Sequence, residues 1–121
     1  MLSQLGQIAM QVSDLEGAVA FYRDTLQIPF LFQFPGLAFF NCGGVRLMLT
    51  RPEGSEKANG NSVLYFKVGD IQAEAQSLVS RGVKLEGEPH LIAKLPDHDL
   101  WMAFFRDPDG NLLALMSEVR P

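Results

Sequence analysis

The sequence predicts an α+β fold made of two copies of one β-α-β-β-β module. A single shift lays "QIAMQVSDL" (7–15) over "VLYFKVGDI" (63–71), with the same alternation of apolar residues and an aspartate at the same place. The chain has 121 residues, of which 47% are hydrophobic and 20% are charged, and this mixture is typical of a globular domain with a sizeable core. Together these observations predict one domain, residues 1–121, assembled from two similar halves.

Each copy opens with a strand that is followed by a helix. In "IAMQV" and "VLYFKV" apolar side chains recur at every second residue, which is the period of a half-buried strand. Apolar residues then recur at helical spacing over 15–26 and over 71–81, and Gly82 stands where a helix commonly stops. Asp14 and Asp70 precede the two helices, so we expect each carboxylate to cap its helix.

The remaining strands follow each helix. Phe39 and Phe40 correspond to Phe104 and Phe105, and "VRLML" corresponds to "NLLAL". We expect strands over 28–34, 37–41 and 45–50 in the first copy, and over 83–88, 89–95, 100–106 and 111–117 in the second.

A linker is predicted between the copies. The segment "RPEGSEKANGN" (51–61) is rich in glycine, proline and charge and has no large apolar residue. We interpret it as a mobile join between module 1 (1–50) and module 2 (62–121), and as a candidate cover for a pocket mouth.

The stretch "FFRDPDGNLLALM" (104–116) begins like a calcium-binding loop. Its first, third and fifth ligand places hold Asp107, Asp109 and Asn111. The sixth place requires glycine but holds Leu112, and leucines fill later ligand places. We therefore interpret the stretch as a hairpin turn, in which Pro108 presets φ and Gly110 accepts a positive φ.

Charge and cysteine content argue against several functions. The net charge of −4 and the absence of a basic run argue against nucleic-acid binding. Cys42 is the single cysteine, so no disulfide framework or Cys-based zinc motif exists, which suits a reducing compartment. The N-terminus does not resemble a signal peptide, and no stretch reaches the ~18 apolar residues of a membrane span. We expect a cytoplasmic protein without nucleic-acid or membrane partners.

Two segments resemble a known family. The duplicated module, with "VSDLEGAVAFYRDTL" in the first copy and "FFRDPDGNLLAL" in the second, resembles the vicinal oxygen chelate superfamily. This superfamily includes the glyoxalase, bleomycin-resistance, fosfomycin-resistance and extradiol dioxygenase proteins. The resemblance implies that the modules form a half-open, eight-stranded cup, usually completed or enlarged in a homodimer. It does not identify the chemistry, because one fold hosts many activities.

The resemblance also implies where a divalent metal would bind. In this family four side chains, two from each module, hold the metal, typically as His, Glu or sometimes Gln. The matching positions in this chain are Gln7, Met48, Val63 and Ala114. Only Gln7 offers an oxygen, and a thioether prefers soft copper to Mg, Mn, Fe, Ni or Zn. We therefore expect no metal and no other cofactor.

Strand alternation predicts a ligand-binding surface within the cup. The residues expected to line it are Gln7, Gln11, Arg46, Met48, Thr50, Val63, Tyr65, Lys67, Phe104 and Ala114. Apolar walls with a few placed polar groups are typical of small-molecule pockets. Arg46 would fork onto a carboxylate or phosphate and Lys67 would add a point charge, unless both only solvate an open sheet face.

Two residues are candidates for acid–base catalysis. His98 lies between Asp97 and Asp99 on what we expect to be an exposed turn, and Tyr65 belongs to the predicted lining. A surface histidine beside acids and a pocket-lining tyrosine are the commoner explanations. His90 follows Pro89, and we interpret it as structural.

The leading hypothesis is a protein that binds a small organic molecule, anionic or aromatic, without transforming it. The alternative is a lyase, isomerase or dioxygenase-type enzyme, acting with a metal or through His98 or Tyr65. The sequence leaves open whether the chain is an enzyme, and it disfavours metal-dependent catalysis.

Overall fold

The computed structural model describes residues 1–52 and 60–121, which form two compact units, Met1–Ser62 and Val63–Pro121. Each unit contains one open four-stranded sheet and one helical segment, so the predicted α+β class is confirmed. Most of the predicted linker, 53–59, lies outside the described residues. None of the described helices is long and apolar enough to cross a membrane.

The first unit follows the predicted order. Its elements are β1 (Gln7–Gln11), α1 (Leu15–Ala20), a π-helical turn (Phe21–Thr25), β2 (Phe30–Phe34), β3 (Leu37–Cys42) and β4 (Val45–Thr50). The strand order in the sheet is β1-β4-β3-β2, with β1 parallel to β4 and the other neighbours antiparallel. The helical segment serves as part of the crossover that a parallel pair requires.

The second unit repeats this architecture. Its elements are β5 (Leu64–Lys67), α2 (Ile71–Ser80), β6 (His90–Lys94), β7 (Asp99–Arg106) and β8 (Leu112–Val119). The strand order is β5-β8-β7-β6, and β5 runs parallel to β8. The internal repeat in the sequence therefore corresponds to the same topology used twice.

The predicted strand over 83–88 is wrong. This segment forms a single isolated bridge between Leu85 and Phe105. Gly87 has a φ of 120°, which lies outside the range of extended strands and ends the pairing. The Glu86 amide donates one hydrogen bond of 2.8 Å to the Phe104 carbonyl, and the chain then turns toward β6.

The core of each unit lies between the sheet and its own helix. Tyr22, Phe40 and Leu49 are completely buried in the first unit, and Phe105 and Leu113 are completely buried in the second. Burying one such side chain contributes roughly 1.5–3 kcal/mol. Because strand side chains alternate between faces, each sheet keeps a second face that points away from its helix. We call this second face the open face.

Both predicted helix caps are present. Asp14 Oδ1 accepts a hydrogen bond of 3.2 Å from the Gly17 amide, and Asp70 Oδ1 accepts one of 3.1 Å from the Ala73 amide. Gly82 follows α2 with a φ of 91°, as expected for a helix stop.

The acidic segment between β7 and β8 is a turn closed by its own aspartate. Asp107 is 5% exposed, and its Oδ1 accepts hydrogen bonds of 2.9 Å from the amides of Asp109 and Asn111. Its Oδ2 accepts a bond of 2.8 Å from Asn111 Nδ2. The carboxylate thus satisfies the turn backbone, which is the role expected of a hairpin turn.

The cap of α2 is testable by substitution. Asp70→Ala removes the acceptor of the first-turn amide, so we expect the free energy of unfolding to fall by about 1 kcal/mol with an unchanged urea m-value. Gln76→Ala, at an exposed position within the same helix, is the matched control and should not destabilise the protein. Equal urea midpoints for Asp70→Ala and the wild type would contradict a stabilising cap.

Candidate functional site

The open face of the first sheet carries three rows of side chains. Strand register gives the rows Gln7–Arg46–Asn41, Ala9–Met48–Phe39–Phe32 and Gln11–Thr50–Leu37–Phe34. All five predicted lining residues of this unit lie in these rows next to partners on neighbouring strands: Gln7, Gln11, Arg46, Met48 and Thr50.

Three phenylalanine rings form an aromatic cluster on this face. The rings of Phe32 and Phe39 lie 4.8 Å apart, and those of Phe32 and Phe34 lie 5.4 Å apart. Phe34 is 56% exposed and Phe32 is 41% exposed. We call Phe32, Phe34 and Phe39 the aromatic cluster; it presents apolar ring surface to solvent.

A bulge in β2 creates the aromatic cluster. Phe30 pairs with Phe40 while Phe32 pairs with Phe39, so the register shifts between Phe30 and Phe32. Phe30 packs 5.5 Å from the buried Phe40 ring, and Phe32 packs on Phe39. A bulge therefore sends these two phenylalanines to opposite faces, although residues two apart in a regular strand share a face.

Arg46 lies beside the aromatic cluster. Its guanidinium carbon is 5.6 Å from the centroid of the Phe39 ring, which is within cation–π distance. Within residues 1–52 and 60–121, no carboxylate lies at ion-pair distance from Arg46. The open face of the first sheet therefore holds a cation against the Phe39 ring, next to the exposed rings of Phe32 and Phe34.

Two further contacts organise the β1 side of the first sheet. Gln7 Nε2 lies 3.9 Å from the Met48 sulfur. Asn61, which we assigned to the linker, exchanges two hydrogen bonds with the Gln11 backbone, of 2.9 and 2.8 Å. At the end of the predicted linker, the Asn61 side chain therefore pairs with the β1 backbone as a neighbouring strand would.

The open face of the second sheet carries two rows that contain the remaining predicted residues. Register gives Tyr65–Ala114–Phe104 and Lys67–Met116–Met102–His90. Val63 precedes β5 by one residue and belongs to neither row. Tyr65 is 47% exposed, whereas Ala114 is completely buried.

His90 lies on this face beside the predicted residues. The Phe104 ring is 6.3 Å from the Tyr65 ring and 6.4 Å from the His90 ring. His90 Nδ1 is 3.1 Å from the Glu88 carbonyl oxygen. The sequence interpretation of His90 as structural rested on the preceding Pro89. The pairing of His90 with Met102 depends on a register shift between Leu91 and Ala93, which strand alternation alone does not reveal.

The structure does not bring the two acid–base candidates together. His98 precedes Asp99, the partner of Val119, whereas Tyr65 is the partner of Ala114. Those partners are five positions apart in β8, which corresponds to roughly 16 Å along the strand.

The expected exposure of His98 is also wrong. Its side chain is 13% exposed, and Nδ1 lies 2.8 Å from Asp97 Oδ1. The hydrogen bond from His98 lowers the pKa of the Asp97 carboxyl. The close carboxylate holds the imidazole against the end of the sheet.

Lys67 differs from Arg46 because its charge is matched. Lys67 Nζ lies 3.4 Å from Glu118 Oε1, and Arg120 also contacts Glu118 at 3.2 Å. The hydrogen bonds from Arg120 and from Lys67 lower the pKa of the Glu118 carboxyl. An incoming anion would have to compete with Glu118 for Lys67.

The four positions that match the family's metal ligands do not fit a hard divalent cation. In the first unit they provide the Gln7 amide and the Met48 thioether, and in the second unit Val63 and Ala114 provide no donor atom. Elsewhere in the described part of the chain, no group of three or more His, Cys, Asp or Glu side chains is placed to hold a metal.

Comparisons with known proteins agree with this architecture. The family model described as Glyoxalase/Bleomycin resistance protein/Dioxygenase superfamily matches residues 4–115. The uncharacterized protein YraH of Bacillus subtilis is 33% identical over 93% of this chain and 96% of its own. Mitochondrial methylmalonyl-CoA epimerase of Mus musculus is 27% identical over 98% of this chain and 74% of its own.

A solved structure shows the same fold. The crystal structure of lactoylglutathione lyase from Agrobacterium tumefaciens gives a TM-score of 0.78 at 24% identity, covering 95% of this chain and 93% of the lyase. The repeated module, the two open sheets and the match over residues 4–115 lead to one conclusion: the chain belongs to the glyoxalase/bleomycin resistance protein/dioxygenase superfamily.

Proposed function

We propose that this protein binds a small, planar organic anion on the open face of its first sheet, and that it does so without a divalent metal. The observation that carries the proposal is Arg46, which has no carboxylate partner among the described residues and lies 5.6 Å from the Phe39 ring. The guanidinium supplies the charge that selects an anion, and the aromatic cluster supplies the surface that selects a flat apolar body.

The positive charge of Arg46 favours binding of an anion over binding of a neutral molecule. Arg presents a planar fork of N–H donors that matches a carboxylate with two parallel hydrogen bonds. A hydrogen bond to a charged group contributes about 1.5–3 kcal/mol, more than a neutral one, because the full charge strengthens the attraction. The neighbouring Phe39 ring lies on one side of the exposed guanidinium.

The exposed phenylalanine rings of the aromatic cluster favour a flat ligand. Phe32 and Phe34 expose their rings at the edge of the sheet, and Phe32 packs on Phe39 next to Arg46. Aromatic pairs contribute about 0.5–1.5 kcal/mol beyond simple area burial. A ligand with its ring near β2 and its carboxylate near β4 would contact both the aromatic cluster and the Arg46 guanidinium.

Polar groups of β1 and β4 define the opposite side of this surface. Gln7 is the Cα partner of Arg46, and Gln7 Nε2 contacts the Met48 sulfur. The Thr50 hydroxyl donates to the Arg51 carbonyl at 3.4 Å. In the same proposal Gln7, Gln11 and Thr50 orient the ligand through single hydrogen bonds, whereas Met48 contributes apolar contact.

In the second unit, we propose that the open face by itself offers a separate and weaker binding surface for a small ligand. Tyr65 and Phe104 present an edge-to-face pair, with the rings 6.3 Å apart. On this face Lys67 binds an anion only if the anion displaces Glu118. Val63 offers apolar contact alone, whereas Ala114 is completely buried and offers no surface to a ligand.

A second candidate is enzymatic turnover. It is favoured by the 27% identity to a protein named methylmalonyl-CoA epimerase, over 98% of this chain. A reaction that moves a proton needs an acid or base at the substrate, and Tyr65 is 47% exposed on an open face. Turnover of an acyl-CoA substrate that Tyr65→Phe abolishes while binding persists would favour this candidate.

The proposal includes a cytoplasmic homodimer. The edge strand β2 exposes Phe30 and Leu31, which lie outside the aromatic cluster, and it is the outermost strand of its sheet. Exposed apolar edge strands are surfaces that a second chain covers. Sedimentation equilibrium should therefore give twice the chain mass of 13.4 kDa, and Leu31→Lys should shift the protein toward monomer.

The anion preference is testable with a charged and neutral probe pair. We expect 2-naphthoate to bind at least about tenfold more tightly than 2-naphthamide, because only the carboxylate pairs with Arg46. Arg46→Gln should remove this difference, and Phe34→Ala should weaken both probes. Isothermal titration measures all affinities directly, without relying on Trp101, which lies on the helix side with Ser117.

Lys84→Gln is the matched control, because it removes one exposed positive charge outside the open faces. It should leave both affinities unchanged. If Lys84→Gln and Arg46→Gln weaken 2-naphthoate equally, the preference reflects overall charge, and the assignment to Arg46 fails.

The metal-free part of the proposal is tested by elemental analysis. Protein purified without chelators should contain no stoichiometric Mg, Mn, Fe, Ni or Zn, and EDTA should leave 2-naphthoate binding unchanged, because the four family positions lack sufficient donors. Stoichiometric Zn or Ni that disappears in Gln7→Ala would contradict the proposal.

A further inference from the structure

We propose that the open face of the second sheet holds a binding site for a soft monovalent metal ion, Cu(I) or its analogue Ag(I), formed by His90, Met102 and Met116. These residues are different from the four positions that match the family's divalent metal. The inference does not depend on the proposed anion binding, which rests on Arg46.

The three ligands lie in one row across three neighbouring strands. His90 of β6 is the Cα partner of Met102 of β7, and Met102 is the Cα partner of Met116 of β8. Residues directly opposite in antiparallel strands have Cβ atoms about 4.5–5.5 Å apart. Met102 thus stands between the other two ligands, at a spacing that side chains of this length can bridge.

The three side chains share the open face. Met116 lies between Leu115 and Ser117, which are buried on the helix side, so Met116 points the other way. Met102 and Phe104 share a face in β7. The His90 ring lies 6.4 Å from the Phe104 ring, which places the imidazole on this face as well.

His90 is held in the tautomer that a metal requires. Its Nδ1 is 3.1 Å from the Glu88 carbonyl oxygen, and a carbonyl only accepts hydrogen bonds, so Nδ1 carries the proton. The lone pair is then on Nε2. Metal-binding histidines almost always donate the second ring N–H to a carbonyl or carboxylate in this way, which fixes the ring orientation.

The donor set selects the ion. Two thioethers and one imidazole are soft or borderline ligands, which favour Cu(I) over Mg, Ca and Mn. Methionine has a flexible side chain, so both sulfurs can lean toward an ion near Met102 without a change in the backbone. The nearby charge of Lys67 is offset by Glu118, 3.4 Å away.

Cys42 requires a control, because thiolates also bind Cu(I). It is partly buried, and burial raises the pKa of its thiol. All measurements therefore use a Cys42→Ser background, alongside the wild-type chain.

Anaerobic titration with Cu(I), in competition with the chromophoric chelator bicinchoninate, tests the site. We expect one Cu(I) per chain in the Cys42→Ser protein. Loss of a group that only supports a metal ligand typically costs ten- to a hundredfold in metal affinity. Loss of a direct ligand should cost at least as much, so Met102→Leu and Met116→Leu should each weaken Cu(I) binding by at least about tenfold. Met10→Leu, in the buried core, is the matched control and should stay within about twofold of its parent.

A second measurement does not depend on the stability of any methionine variant. In protein labelled with [13C-methyl]methionine, one equivalent of Ag(I) should shift the methyl resonances of Met102 and Met116 and leave those of Met10 and Met48 in place. The proposal is overturned if the Cys42→Ser protein binds no Cu(I), if Met10→Leu weakens binding as much as Met102→Leu, or if Ag(I) shifts other methionines instead.

Discussion

The structure depends on one packing constraint, which is that each sheet buries a single face under a single helical segment. Val12, Tyr22 and Phe40 are completely buried in the first unit, as are Phe105 and Leu113 in the second. Because the side-chain period of a strand is two, these buried residues also fix which residues point away from the helix. A slip of one residue in any central strand would exchange the core for the open face, so the core determines the surface available for binding.

The two units use this constraint for different chemistry. Phe39 and Phe104 occupy equivalent places, and each contacts another ring on its open face. In the first unit the neighbouring position carries Arg46, whose charge has no carboxylate partner among the described residues. In the second unit the charge of Lys67 is matched by Glu118, and sulfur atoms and an imidazole occupy the next row. The same backbone arrangement therefore presents a guanidinium cation on one sheet, and thioether and imidazole groups on the other.

The acidic turn and the helix caps illustrate how polar residues of this chain serve the backbone. Asp107 closes its turn with three hydrogen bonds, and Asp14 and Asp70 satisfy first-turn amides. Asp107 is buried, and its carboxylate would be costly to bury without these donors, whereas the capping residues Asp14 and Asp70 are exposed. Carboxylates that look like metal ligands in the sequence are thus engaged in local structure, which leaves arginine, glutamine, methionine and aromatic residues for the open faces.

The sequence by itself determined the repeat, the two helices with their caps, the α+β class and the face on which most strand residues lie. These features follow from local periodicity and from residues that act within one turn, so no distant contact is needed to read them. Tertiary structure alone decided the places where register departs from that periodicity. The bulges in β2 and β6 send Phe32 to the aromatic cluster and pair His90 with Met102, and Gly87 ends the strand expected over 83–88. A bulge is a property of two paired strands, and pairing between strands far apart in the chain depends on the packing of the whole sheet.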